Sequence, residues 1–210
     1  NLGVLKSGHL VETDRSGLVA EYVGQTAVKT NAIIDSALDG VLFIDEAYTL
    51  SQSNDQYGRE AIDTLMKRME DDRGKFVVVA AGYQQEMDNL FRVNPGIKSR
   101  FNRFLNLPDY SAEELLQILD RFVTKSKFVM TEECRQKASQ VIDIMTETRD
   151  RTFANGRAIR SLFEQMCSKQ AERVHKLPVA ELTDEVLLTF VPEDVPMEAP
   201  TTIEYESILK

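Results

Sequence analysis

Cysteine is scarce in this sequence, with two among 210 residues. Cys134 and Cys167 lie in stretches of helical pattern, without a CxxC spacing and without a nearby histidine. This argues against a disulfide framework and against a cysteine-based metal site. We expect reduced thiols, buried or half-buried, and therefore a cytoplasmic protein.

Long apolar runs are also missing. No stretch approaches the roughly 18–20 apolar residues that a membrane-spanning helix needs. Residues 1–6 lack the basic head and apolar stretch of a signal peptide, so no membrane partner is predicted. They also lack a starting methionine, and we expect the chain to begin inside a longer protein.

An excess of positive charge is absent too. The formal net charge is -9, and the basic residues are interspersed with acids. A protein that binds a phosphate backbone usually presents a basic face, so nucleic acid is disfavoured as a partner. A local basic groove within the acidic whole stays open as an alternative.

What the first half contains is an alternation of strand and helix patterns. A continuous apolar run at residues 41–44 is typical of a strand covered on both faces. Because strands alternate with helices, the pattern predicts an α/β fold with a parallel sheet. The predicted strands are 9–13, 41–44, 76–81 and 104–107, with a helix near 26–38 and another after 46.

The second half is helical throughout. Ser111 and Glu114 form a capping box that begins a helix reaching about Ser126. Further helices are predicted over 131–149, 155–176 and from Thr183, and prolines with acids after residue 191 predict a loosely held segment. The predicted parts are an α/β domain at 1–109, a helical domain at 110–191 and a flexible acidic tail at 192–210.

Two carboxylates follow the apolar strand at 41–44. Asp45 and Glu46 are thus predicted at the carboxyl end of a buried strand, where α/β sheets bind ligands. Asp45 has the oxygen ligands that Mg²⁺ prefers, and Glu46 is placed to accept a proton from an attacking water. The alternative is a strand that ends in a polar loop that is acidic by chance.

Three arginines stand at positions typical of phosphate chemistry. Arg100 follows a Pro95-Gly96 turn, which favours a side chain projected at a subunit boundary. Arg157 falls in the first turn of a predicted helix, with Arg160 one turn on, where a guanidinium can bind phosphate. The alternatives are a surface salt bridge for Arg100, a solvated side chain for Arg157, and an acid partner for Arg160.

An aromatic residue and a β-branched residue stand beside a glycine between the first strand and its helix. Tyr22, Val23 and Gly24 form what we call the 22–24 loop. Exposed apolar side chains are costly to leave in water without a partner, so a binding role is one interpretation. The other is that Tyr22 and Val23 pack against the domain edge.

Together these segments resemble one group of AAA+ ATPases: red-type rubisco activases (CbbX), stage V sporulation protein K and type VII secretion ATPases. The matching segments run in the family's order across residues 8–157. They are 8–12 (GHLVE), 14–16 (DRS), 21–27 (EYVGQTA), 40–48 (GVLFIDEAY), 57–62 (YGREAI), 81–83 (AGY), 94–96 (NPG), 99–101 (SRF), 108–111 (PDYS) and 155–157 (NGR).

The resemblance implies a role for each matching residue. It implies that Asp45 and Glu46 are the Walker B pair, for Mg²⁺ and for water activation. Arg100 would be the arginine finger on an adjacent subunit, with Arg103 as a second candidate, and Arg157 the sensor-2 arginine of the lid. Tyr22, Val23 and Gly24 would form the pore loop that grips a protein client. Family members form hexameric rings that use ATP to thread or pull proteins.

Two departures from the family pattern stand out. The phosphate loop, Gly-x-x-x-x-Gly-Lys-Thr, does not occur in the 210 residues, and we expect it upstream of Asn1. Without its amides and its lysine, nothing cradles the β- and γ-phosphates. The strand ending near Ala81 also lacks the Asn or Thr of a γ-phosphate sensor, a feature that this group shares.

The first departure leaves a gap in the predicted sheet. In the family's sheet the phosphate-loop strand is central and lies between the strands at 76–81 and 104–107. Two unpaired edges would be an aggregation hazard. We therefore expect the chain to close the gap, to exchange elements with a second copy, or to pair with the missing segment on another chain.

Three functions compete at this point. The first is an ATP-driven motor that remodels a protein, with this chain inactive by itself. The second is a nucleotide-free interaction or scaffold module, which the missing phosphate loop favours for the 210 residues alone. The third, a DNA-directed motor, is disfavoured by the acidity and by a 22–24 loop without lysine.

Overall fold

The computed structural model describes residues 5–52, 55–93, 95–149 and 153–196. The chain divides into two compact units, Asn1–Asn106 and Leu107–Lys210. The division falls beside the predicted boundary at residues 109 and 110.

The described residues of the first unit form a three-stranded parallel sheet. Its order is β1 (Leu10–Thr13), β2 (Val41–Ile44) and β3 (Val77–Ala80). Thr13, Ile44 and Ala80 are aligned in the register, so all three strands end at the same edge. The prediction of a parallel α/β sheet is confirmed.

Helices follow each strand of the first unit. Asp14 and Asp55 begin two of them, because each carboxylate accepts the backbone N–H three residues on, at 2.9 Å. Leu42 and Ile44 of β2 are buried beneath the helices. The helices are α1 (Arg15–Leu18), α2 (Thr26–Ser36), a 3₁₀ helix over Ala47–Ser51, α3 (Gln56–Asp71), α4 (Gln84–Val93) and α5 (Pro95–Lys98).

The prediction of a strand at 104–107 is wrong in this structure. The segment has no regular structure, and Leu105 and Leu107 are almost fully exposed. A strand needs a partner strand for its backbone hydrogen bonds, and none of the described strands pairs with this segment. Closure of the gap within the chain is therefore not seen. Exchange with a second copy or pairing with another chain stays a prediction.

The second unit is a helical bundle with one short parallel bridge. The predicted capping box is confirmed: Glu114 N donates to Ser111 Oγ, and Ser111 N donates to the Glu114 carboxylate. In the described ranges no helix is both long and apolar enough to cross a membrane. The elements are α6 (Ala112–Lys125), β4 (Val129–Met130), α7 (Glu132–Glu147), α8 (Gly156–His175), α9 (Asp184–Leu188) and β5 (Thr189–Phe190), with 3₁₀ turns at Val179–Glu181 and Pro192–Asp194.

The first residues of the predicted tail at 192–210 are folded. Asp194 is fully buried and pairs with Arg173 of α8 through two contacts of 2.9 Å. Lys137 of α7 donates to the Pro192 carbonyl at 2.7 Å. Residues 192–196 thus belong to the helical unit, because these bonds outweigh a composition typical of loose chain. Residues 197–210 lie outside the described part.

Replacement of Gly58 by alanine is expected to destabilise the protein. A Cβ at this position would collide with the backbone carbonyl oxygen of Leu50. We expect Gly58→Ala to destabilise the protein by about 1–2 kcal/mol, since overpacking outweighs the gain in helix propensity. Urea unfolding followed by circular dichroism measures this. Gly96→Ala is the control, because the nearest atom to its new Cβ is 3.6 Å away. Equal midpoints for the two variants would contradict the prediction.

Candidate functional site

The candidate site lies at the edge of the sheet where the strands end. Asp45 N donates to the Thr13 carbonyl at 2.8 Å, and Ala81 N donates to the Ile44 carbonyl at 2.9 Å. These bonds continue the ladder one residue past each strand, and they fix where Asp45 begins. Asp45 and Glu46 are both exposed there. Both carboxylates therefore lie at the predicted edge of the sheet, and ligand binding there stays a prediction.

Glu46 is held in an unusual backbone conformation. Its φ of 46° and ψ of 43° are left-handed, which costs about 1–2 kcal/mol for a residue other than glycine. Neighbours maintain it: Thr49 donates to the Glu46 carbonyl through its backbone N at 2.9 Å and through Oγ1 at 2.7 Å. The Glu46 N–H is bonded to Asp45 Oδ1 at 2.9 Å. Backbone strain that is maintained in this way is typical of a functional residue.

The Asp45 carboxylate fits Mg²⁺ as one ligand among several, the others being phosphate oxygens and water. Within the described ranges, no group of three or more His, Cys, Asp or Glu side chains is arranged to hold a metal. Mg²⁺ needs no such group, since it is usually bound through one or two carboxylates together with phosphate oxygens and water. Asp14, at the same edge, is engaged elsewhere: the Ser16 hydroxyl and the Gly17 amide lower the pKa of its carboxyl.

Two tyrosines beside Glu46 had no role in the sequence-based prediction. The rings of Tyr48 and Tyr83 lie 6.2 Å apart, centroid to centroid. Burial, followed by the negative charge of Glu46, raises the pKa of Tyr48. Gly82 is required here, because a Cβ would approach Tyr48 Cδ1 to 2.8 Å. The sequence signal that could have indicated Tyr48 is its position two residues after Glu46, which places its ring near Glu46 within a single turn.

Arg100 does not project outward as the Pro95-Gly96 pair predicts. Residues Pro95–Lys98 form a helical turn, and Arg100 folds back so that Nη1 donates to the Gly96 carbonyl at 3.1 Å. Its Nε is buried without a partner among the described residues, beside an apolar cavity of about 30 Å³. Arg103 is exposed. The role of arginine finger stays a prediction for either residue.

Arg157 lies where the sequence predicts, exposed in the first turn of α8. Asn155 before it has a φ of 52°, and its side chain donates to Asp109 Oδ1 at 2.9 Å. The guanidinium carbon of Arg160 lies 5.0 Å from the centre of the Phe122 ring, as in a cation–π contact. Phosphate binding or an acid partner for Arg160 stays a prediction.

The 22–24 loop is exposed and does not pack against the domain edge. The exposed fraction is 67% for Tyr22 and 82% for Val23. Gly24 has a φ of +77°, a conformation that glycine adopts without strain. The interpretation that Tyr22 and Val23 pack against the domain edge is therefore wrong, and a binding role for the loop stays a prediction.

These features belong to a recognised family. The protein-family model described as "ATPase family associated with various cellular activities (AAA)" matches residues 4–109 of the sequence, and the family model of an AAA lid domain matches residues 111–204. The chain belongs to the AAA family of ATPases. The first match covers the sheet with Asp45 and Glu46, and the second covers the helical unit with Arg157.

Three curated relatives represent the group that the sequence resembles. Stage V sporulation protein K of Bacillus subtilis (strain 168) is 40% identical over 175 residues, which are 82% of this chain and 54% of that protein. The chloroplastic ribulose bisphosphate carboxylase/oxygenase activase of Cyanidioschyzon merolae is 39% identical, over 92% of this chain and 66% of that protein. The ESX-3 secretion system protein EccA3 of Mycolicibacterium smegmatis is 36% identical, over 94% of this AAA chain and 35% of that protein. The chain thus spans less than two thirds of the length of each.

Solved structures agree on the fold. The FIGL-1 AAA domain superposes with a TM-score of 0.60 at 17% identity, over 87% of this chain and 58% of that one. The Thermotoga maritima RuvB Holliday junction branch migration motor gives 0.56 at 18% identity, over 86% and 51%. At such identities the likeness shows the AAA fold alone, so the DNA-directed activity of that motor is not transferred to this AAA chain.

Proposed function

We propose that the chain is part of an ATP-driven motor that remodels a protein client. The observation that carries the proposal is the pair Asp45 and Glu46, exposed at the carboxyl edge of the sheet, with Glu46 in a strained conformation. Membership of the AAA ATPase family supports nucleotide binding at this edge. We propose a cytoplasmic location as well, which the free cysteines Cys134 and Cys167 support.

Each site residue has a separate task in this proposal. Mg²⁺-ATP, when bound, supplies the γ-phosphoryl group that is transferred to water. Asp45 offers a carboxylate oxygen on the metal side, and Glu46 accepts the proton of the attacking water. Arg157 binds phosphate oxygens, and Arg100, with Arg103 as the second candidate, acts on the neighbouring subunit of a hexameric ring.

The 210 residues alone are expected to lack ATPase activity. They contain no Gly-x-x-x-x-Gly-Lys-Thr segment, so no backbone amides are offered to the β- and γ-phosphates. For tests we define the extended chain as these residues joined at their amino end to a phosphate loop with its flanking strand and helix. A nucleotide-free scaffold is the second candidate function, and this absence favours it for the 210 residues by themselves.

The client is proposed to contact the 22–24 loop. Binding is favoured when a polypeptide covers the exposed ring of Tyr22. The acidity of the chain disfavours nucleic acid as the alternative partner. We expect Tyr22→Ala in the extended chain to raise the concentration of unfolded casein that half-maximally stimulates ATP turnover by about tenfold.

Val28→Ala is the control for this experiment, because Val28 is equally exposed but lies on α2 outside the loop. It should leave the half-maximal concentration of casein unchanged. If Tyr22→Ala changes that concentration by less than about twofold, well below the tenfold effect expected of one aromatic contact, the loop is not the site that grips the client.

A further inference from the structure

Three elements of the first unit pack together beside Glu46. They are the one-turn helix α1, the 3₁₀ helix Ala47–Ser51 that follows Glu46, and the first turn of α3. Leu18 of α1 and Leu50 of the 3₁₀ helix are both buried there. Gly58 lets the backbone of α3 touch the Leu50 carbonyl, since any Cβ would collide with it. The 3₁₀ helix and the start of α3 therefore form one closely packed body.

An ion pair bridges this body to α1. Arg15 Nε donates to Asp55 Oδ2 at 2.8 Å, and Asp55 Oδ1 caps α3 by accepting the Gly58 N–H at 2.9 Å. The Asp55 side chain is 10% exposed and that of Arg15 is 40% exposed. The Arg15 guanidinium, above all, lowers the pKa of the Asp55 carboxyl. The pair is partly screened by water, so its fixed geometry matters more than its contribution to stability.

The other side of α1 is fastened to α2, and the 22–24 loop connects these two helices. Lys29 Nζ donates to the carbonyls of Ser16 and Val19 at 2.7 and 2.9 Å. The buried Thr30 hydroxyl donates to the Leu18 carbonyl at 3.0 Å, and Ala20 N donates to Thr26 Oγ1 at 3.2 Å. Both ends of the loop are thus anchored, so its position follows that of α1.

We propose that the Arg15–Asp55 ion pair is the positioning contact that couples the 22–24 loop to the segment following Glu46. The proposal rests on the proposed function. A change at Glu46 moves the 3₁₀ helix and the start of α3 together, and Arg15 transmits that movement to α1 and the loop. Arg15 and Asp55 touch neither nucleotide nor client, so they act through other residues.

The first test needs no ATP. The chain contains no tryptophan, so Tyr22→Trp places a single fluorescent reporter in the loop. In the 210-residue chain, Arg15→Gln should increase the amplitude of fast rotation of this reporter in time-resolved anisotropy. Asp55→Asn should do the same, because asparagine still caps α3 and only the charge is lost. Arg73→Gln, which removes an exposed pair with Glu70 in the same unit, is the control and should change nothing.

An unchanged anisotropy in both Arg15→Gln and Asp55→Asn would overturn the proposal. So would an equal change in Arg73→Gln, since the effect would then be one of net charge.

The second test uses the extended chain and compares casein-stimulated with basal ATP turnover. Arg15→Gln should lower the ratio of stimulated to basal turnover about fivefold, the size expected of one such ion pair. Arg15→Lys should restore part of it, and Arg15→Gln with Asp55→Asn together should lower it no further than either alone.

The outcomes separate the two proposals. If basal and stimulated turnover fall in proportion, Arg15 is merely structural and the coupling proposal fails. If the unsubstituted extended chain shows no turnover while the anisotropy changes as expected, the motor function fails and the anchoring of the loop by Arg15 stands.

Discussion

Glu46→Gln in the extended chain is expected to lower ATP turnover by about 100-fold or more while ATP still binds. The amide has the size and shape of the carboxylate, and the left-handed backbone at this position is unaffected by the change. It cannot accept a proton, however, so water is no longer activated. Steady-state phosphate release measures turnover, and a fluorescent ATP analogue measures binding.

Glu12→Gln is the matched control for that experiment. Glu12 is an exposed carboxylate on the neighbouring strand β1, so the charge change is the same and the distance from the reacting water is greater. It should retain nearly full turnover. If Glu46→Gln keeps more than about a tenth of the activity, Glu46 is not the base, because the loss of a general base lowers turnover by about 100-fold or more.

Asp194→Ala is expected to destabilise the helical unit by about 3 kcal/mol, because it leaves the charge of Arg173 largely buried without its partner. Asp194 also accepts the Val191 N–H at 2.9 Å, and that donor loses its acceptor as well. Hydrogen exchange of α8 peptides, followed by mass spectrometry, measures the change where it occurs. If exchange proceeds through opening of this unit, it should become about 100-fold faster.

Glu193→Ala serves as the control, because Glu193 is exposed and adjacent. Exchange in α8 should then stay as in the unsubstituted chain. An equal acceleration in both variants would mean that the loss of any acid near residue 194 loosens α8, and that the Arg173–Asp194 pair has no specific role.

The sheet and the place of its carboxylates were predictable from local patterns. The apolar run at 41–44 followed by Asp45 and Glu46 is enough, because parallel strands end at a common edge. The capping box at Ser111 and Glu114 was predictable because its two partners are only three residues apart. Such features depend on short stretches of chain, which the sequence displays directly.

Features that depend on distant partners were not predictable. Residues 104–107 have a strand-like composition, yet the structure leaves them irregular since no edge pairs with them. Residues 192–196 have the composition of a loose tail, yet Arg173, about twenty residues earlier, holds Asp194 in the interior. In both cases the partner, and not the segment itself, decides the structure.

The site shows the same division between position and conformation. The sequence places Glu46 at the sheet edge, but its left-handed backbone results from bonds to Thr49 and Asp45 that propensity does not indicate. Arg100 likewise follows the expected turn, but its guanidinium is directed by the Gly96 carbonyl. Side-chain direction within a site is a tertiary property, so roles transferred by resemblance need their own tests.

Mg²⁺-dependent ATP binding and turnover, measured on the 210-residue chain beside the extended chain, decide between the motor and the scaffold. We predict that the extended chain binds and hydrolyses ATP, whereas the 210 residues alone do neither to a comparable extent. An extended chain that folds but neither binds nor hydrolyses ATP would contradict the claim, and a nucleotide-free scaffold would then be the better description of this protein.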